Sequence, residues 1–115
     1  MSGRFGKQYK LLVIDIDGTL LNDQNQITQK TIDTLQQVKH LGLTIILATG
    51  RIYSDAFYFA KYLNLFSPMI LLHGALIQAY NGKILKEESL SVDIVAKLIK
   101  IAREKKASFQ AFQTD

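Results

Sequence analysis

The sequence contains no cysteine and no tryptophan, and only one proline, Pro68, in 115 residues. Without cysteine there is no disulfide framework, no thiolate nucleophile and no sulfur ligand, so any metal site must be built from oxygen and histidine. Cysteine usage is accordingly silent on compartment. No apolar run approaches the ~20 residues that a membrane helix needs. Residues Met1 to Lys10 carry no apolar stretch resembling a signal peptide, so a cytoplasmic location is the default expectation. Internal repeats and low-complexity segments are absent as well. What remains, 48% hydrophobic and 21% charged, describes one ordinary globular domain or a piece of one.

The net charge of +4 raises the question of a polyanionic partner. The basic residues answer it by their spacing. Lys97, Lys100, Arg103, Lys105 and Lys106 interleave with Ile94, Val95, Leu98, Ile99 and Ala102 at helical intervals, the pattern of a solvated helix face. Neither nucleic acid nor a membrane is expected as a partner.

Chemistry concentrates in Leu11-Leu12-Val13-Ile14-Asp15-Ile16-Asp17-Gly18-Thr19-Leu20-Leu21. The four apolar residues read as a buried parallel strand covered on both faces, and such strands carry ligand sites beyond their carboxyl ends. Residues two apart in extended backbone point the same way, so Asp15 and Asp17 converge while Ile16 turns aside. Two carboxylates held that close are best tolerated with a cation between them, a shared proton or solvent screening. Gly18 permits a sharp turn, and the Thr19 hydroxyl can donate to a neighbouring carboxylate. An ordinary strand-to-loop turn also uses Asp and Gly. A calcium loop of the EF-hand kind fails, because its third-ligand, glycine and glutamate positions fall on Thr19, Leu20 and Gln26. A Walker loop fails for want of Gly-Lys-Ser/Thr.

Further along, Thr28 caps a helix, Ile27 and Ile32 staple it, and Ile32, Leu35 and Val38 line its apolar face. Lys39 and His40 sit near its end, His40 as a surface capping residue, and Gly42 supplies the left-handed stop. Leu43 to Ala48 forms a second apolar strand ending at Thr49-Gly50-Arg51, followed by an aromatic-rich helix from about Ile52 to Leu63. That helix start attracts anions through Thr49 and the amides of Gly50 and Arg51. Met69 to Leu72 reads as a third strand with His73-Gly74 as its exit. His73 there is either bonded to backbone or a substrate contact or proton carrier. Leu76 to Tyr80 and Lys83 to Leu85 flank Asn81-Gly82 as a hairpin. Ser91 caps a third helix running to about Lys106, and Ser108 to Gln113 alternates like a further strand. The β-α-β-α-β order predicts an α/β fold, a three-layer Rossmann-like parallel sheet with right-handed crossovers.

Asp15-Ile16-Asp17-Gly18-Thr19-Leu20-Leu21 resembles the first signature of the haloacid dehalogenase-like (HAD) superfamily, and Ile46-Leu47-Ala48-Thr49-Gly50-Arg51 resembles its second, in the expected order and separation. The run His73-Gly74-Ala75-Leu76-Ile77 is similar to the Asn-Gly-Ala-x-Ile segment of the Cof-type sugar-phosphate phosphatases, with His73 in place of Asn. The resemblance identifies an N-terminal portion. The family's catalytic lysine and acidic metal motif normally lie further on than Asp115, so the chain is expected to be truncated and poorly active alone. It also implies a division into a core, residues 1–83, and the beginning of an α/β cap, residues 84–115.

The activity so implied is magnesium-dependent hydrolysis of a small phosphate monoester, a phosphorylated metabolite such as a sugar phosphate. Asp15 is the implied nucleophile, forming an aspartyl-phosphate, and Asp17 the general acid and base. Ile16, Thr49, Gly50 and Arg51 are the implied phosphate-binding residues. Magnesium is implied at the Asp15 carboxylate and the backbone carbonyl of Asp17. Two other readings stand beside this one: a phosphate- or metal-binding module without turnover, and one segment of an enzyme completed by another chain. A receiver-like phosphoacceptor is disfavoured, because receivers accept on a strand other than the first. Exposed sheet edges suit the chain to self-association.

Overall fold

The structure is a computed structural model that describes residues 9–114. Its centre is a pair of parallel strands, β1 (Leu11–Ile14) and β2 (Thr44–Leu47), in register from Leu11 opposite Thr44 to Ile14 opposite Leu47. The parallel ladder continues past both ends, with the Thr44 amide donating to the Lys10 carbonyl and the Ala48 amide to that of Ile14, each at 2.9 Å. Beyond β2, a parallel bridge from Ala48 to Ile70 brings in β3 (Met69–Leu71). An antiparallel hairpin, β4 (Leu76–Gln78) and β5 (Ile84–Glu87), pairs along β3.

Helix α1 (Gln29–His40) connects β1 to β2, and α2 (Tyr53–Tyr62) connects β2 to β3. The Thr28 side chain caps α1 by accepting from the Thr31 amide at 3.2 Å, and Gly42 (φ +86°) turns the chain out of it. Leu35 is buried on the sheet with Ile32 and Val38 packed beside it, as the periodicity predicts. His40 does cap: its Nδ1 pairs with the Gln36 carbonyl at 2.9 Å. Helix α2 buries Ala56 and Ala60, whose small side chains let it lie close to the sheet. These contacts complete a core of Ile16, Leu20, Ile45, Leu47, Leu63, Met69 and Leu71, at about 1.5–3 kcal/mol for each large side chain withdrawn from water.

Three expectations need correction. Strand β1 is covered on one face only: Leu12 and Ile14 pack on the core, whereas Leu11 and Val13 stay 49% and 48% exposed. The period of two sends alternate side chains to opposite faces, and no described element lies over the second one. Residues 108–113 form no strand, since no neighbouring strand takes up their amides and carbonyls. Leu72 leaves β3, adopting a left-handed conformation (φ +49°).

The hairpin turns at Asn81-Gly82 as expected, with Gly82 at φ +90° and the Ala79 amide bonded to the Lys83 carbonyl at 2.8 Å. Helix α3 (Val92–Glu104) follows, its Ser91 cap accepting from the Ile94 amide. No α3 residue is buried. No helix among the described residues is long and apolar enough to cross a membrane.

Candidate active site

Because β1 and β2 run parallel and in register, the residues that follow them emerge at one edge of the sheet. Asp15 (φ −76°, ψ 157°) and Asp17 (φ −72°, ψ 128°) both keep extended backbone. Their side chains therefore leave on the same side, and Ile16 between them is fully buried in the core. Gly18, at φ +71°, then reverses the chain, and the Leu20 and Leu21 amides close the turn onto the carbonyls of Asp15 and Ile16 at 3.2 and 3.0 Å. One carboxylate oxygen of Asp15, Oδ1, accepts from the Ile16 amide at 2.7 Å. That bond orients the carboxylate, and Oδ2 has no hydrogen-bond partner among the described residues. It also occupies the amide of Ile16, which does not line the cleft. The Thr19 hydroxyl makes no hydrogen bond to either carboxylate among the described residues.

At the end of β2, Thr49 is 6% exposed, and its Oγ1 accepts from the Arg51 amide at 3.1 Å. A hydroxyl that has accepted one bond still has its proton to donate, so Thr49 can hold an anion's oxygen. The Arg51 amide is taken, contrary to the expectation of two free amides. Of the pair, Gly50 keeps an N–H without a partner among the described residues.

Arg51 instead acts through its side chain. Its Nε and Nη2 donate to the two Asp17 carboxylate oxygens at 2.8 and 2.7 Å, and its guanidinium lies 5.3 Å over the Phe59 ring. This two-pronged bond holds Asp17 below its ordinary carboxylate value, more than the slight desolvation raises it. It raises Arg51 correspondingly. Asp15, Asp17, Thr49, Gly50 and Arg51 thus meet around one open cleft of about 710 Å³, and His73 joins them in its wall.

The profile of the haloacid dehalogenase-like hydrolases matches residues 12–115. The chain belongs to that family. Among relatives, YxeH of Bacillus subtilis (strain 168), which bears the name of a phosphatase, is 34% identical over 110 residues, 92% of this chain and 41% of its own length. The 5-amino-6-(5-phospho-D-ribitylamino)uracil phosphatase YitU of the same organism is 30% identical over 96 residues, 80% of this chain and 35% of its own. A solved phosphatase of the HAD superfamily from Bacteroides thetaiotaomicron superposes with a TM-score of 0.78 at 29% identity, covering 92% of this chain and 39% of that one. The chain therefore spans roughly two-fifths of such relatives, and it shares their Rossmann-like α/β fold.

Within this chain the donors at the cleft are hard oxygens, the Asp15 and Asp17 carboxylates and nearby carbonyls, which suit magnesium better than zinc. No three acidic or histidine side chains gather into a metal cluster among the described residues. A magnesium ion keeps several waters and needs only one or two protein carboxylates alongside a phosphate, so the donor set is compatible with it.

Proposed function

We propose that this hydrolase cleaves small phosphate monoesters, sugar phosphates among them, through a phosphoryl group carried on Asp15. The observation that supports this most is the meeting of Asp15 and Asp17 with the Thr49 hydroxyl and the Gly50 amide around one cleft, where two parallel strands end together. Oδ2 of Asp15 attacks phosphorus while the ester P–O bond breaks, an ionised carboxylate needing no base for this. Thr49 and Gly50 donate to the phosphoryl oxygens. Asp17 gives its proton to the leaving alkoxide and then takes one from the water that attacks phosphorus, breaking the bond to Asp15 and releasing phosphate. The Asp15 carboxylate and the Asp17 carbonyl are the groups that would hold magnesium, which when bound would supply charge compensation for the phosphoryl oxygens.

For Asp17 to act as an acid, Arg51 must first let go, since the paired carboxyl is kept ionised. Release of Arg51 toward the incoming phosphate would do both jobs at once. We assign residues 1–83 to the nucleophile-bearing core and residues 84–115 to the start of a cap.

The test is phosphate release from a panel of sugar phosphates with magnesium, comparing the chain with Asp15→Asn and Asp17→Asn. Release that falls by a factor on the order of 10³ or more in Asp15→Asn is expected. Equal release with and without Asp15 would exclude the nucleophile, and phosphate binding with no Asp15-dependent release would favour the binding-module reading.

A further inference from the structure

We propose that His73 is a phosphate-contacting residue of this cleft, its ring donating an N–H to the phosphate beside the Gly50 amide; the proposal rests on the phosphate-monoester reading above. The backbone places it there. Strand β3 lies beside β2, so the turn after β3 comes out at the same sheet edge as Asp15 and Thr49. Two hydrogen bonds clip that turn to the phosphate-loop backbone, from the Leu72 amide to the Arg51 carbonyl and from the His73 amide to that of Thr49, each at 3.2 Å. Leu72, His73 and Gly74 are left-handed in succession, at φ +49°, +57° and +95°.

The ring lies against Gly50. Gly50 does not have a positive φ, so its backbone conformation does not demand glycine. Its neighbour does: a Cβ at this position would overlap Cε1 and Nε2 of His73 and come within 3.0 Å of Nδ1. The missing side chain at residue 50 is therefore what seats the imidazole beside the unpartnered Gly50 amide. Neither ring nitrogen of His73 has a hydrogen-bond partner among the described residues, whereas Nδ1 of His40 is tied to the Gln36 carbonyl. The ring thus has donors to spend on a ligand.

Charge points the same way. The cleft wall holds two carboxylates, Asp15 and Asp17, and one guanidinium, Arg51, whose Nε and Nη2 are both committed to Asp17. A phosphate monoester adds further negative charge. Behind the ring lies a second cavity of about 540 Å³, with Glu87 and Glu88 in its wall. Hydroxyl bonds from Thr114 and Ser89 favour the anionic form of Glu87. The His73 ring borders both cavities, and its nitrogens are uncommitted among the described residues, so it has an N–H to give to an anion in the cleft.

The chain has two histidines, so ring-proton NMR follows each separately, with His40 as the internal control. Inorganic phosphate, added at constant magnesium, should shift the His73 Hε1 signal and leave that of His40 in place. His73→Asn keeps a residue that tolerates the left-handed backbone. It should weaken phosphate binding by ~10-fold, with His73→Gln behaving alike. If phosphate moves the Gly50 amide while the His73 Hε1 signal and the variants' affinities stay unchanged, the role given to His73 is wrong. If phosphate moves neither Gly50 nor His73, the phosphate site itself fails and His73 with it.

Discussion

Arg51 and Asp17 stand 34 residues apart in the chain, yet the guanidinium grips both oxygens of the carboxylate. The sequence shows each as a candidate for the site but carries no local signal for their pairing, which depends on β1 and β2 ending side by side. The pair sets the protonation state of Asp17. In Arg51→Gln the Asp17 midpoint should climb back toward its ordinary value of 3.8, as read by carboxyl-carbon NMR across acidic pH. Because the folded pKa is depressed, the pair's stabilisation is in place above the unfolded pKa and is lost as pH falls through the lower folded value. Both partners are substantially exposed, so the loss should be no more than about 1 kcal/mol. A midpoint unmoved by Arg51→Gln would refute the pairing. Gly50 and His73 form a second such couple, invisible in sequence because neither residue announces its neighbour. Gly50→Ala should cost about 1–2 kcal/mol in urea unfolding, and much less when His73→Ala is already present. Additive costs would show that the ring does not lie against Gly50.

At the scale of elements, local chemistry was highly legible. Thr28, Gly42, Gly82 and Ser91 each act through their own backbone or that of residues close in sequence, and all four do in the structure what their residue types predict. Thr28→Ala should lower the stability of the fold by about 1 kcal/mol through the lost bond to the Thr31 amide, measurable as a lower denaturation midpoint. Leu47→Ala removes a side chain that is buried between sheet and helices and should cost about 2–5 kcal/mol. A loss below 1 kcal/mol would mean that β2 is not the centre of the core. Elements that depend on distant partners were less legible. The alternation of Ser108 to Gln113 is real, but a strand needs another strand beside it, and none lies there among the described residues. The run Leu11 to Ile14 announces burial, yet only alternate residues obtain it.

Over the whole molecule, the apolar residues left uncovered set its behaviour. Leu11 and Val13 on β1, with Ile94, Leu98 and Ile101 on α3, stay exposed to water, and a net charge of +4 is modest opposition to contact between copies. We expect concentration-dependent association in sedimentation velocity, reduced by the paired changes Leu11→Lys and Val13→Lys. Association unaffected by them would place the contact elsewhere. The central claim concerns the opposite edge of this surface, where the ends of β1 and β2 converge. Its most direct measurement is a crystal of the chain soaked in orthovanadate and magnesium. The account predicts vanadium beside Oδ2 of Asp15, with its oxygens on the Thr49 hydroxyl and the Gly50 amide. Vanadate seated only among the α3 lysines, with the cleft between Asp15 and Thr49 vacant, would contradict it.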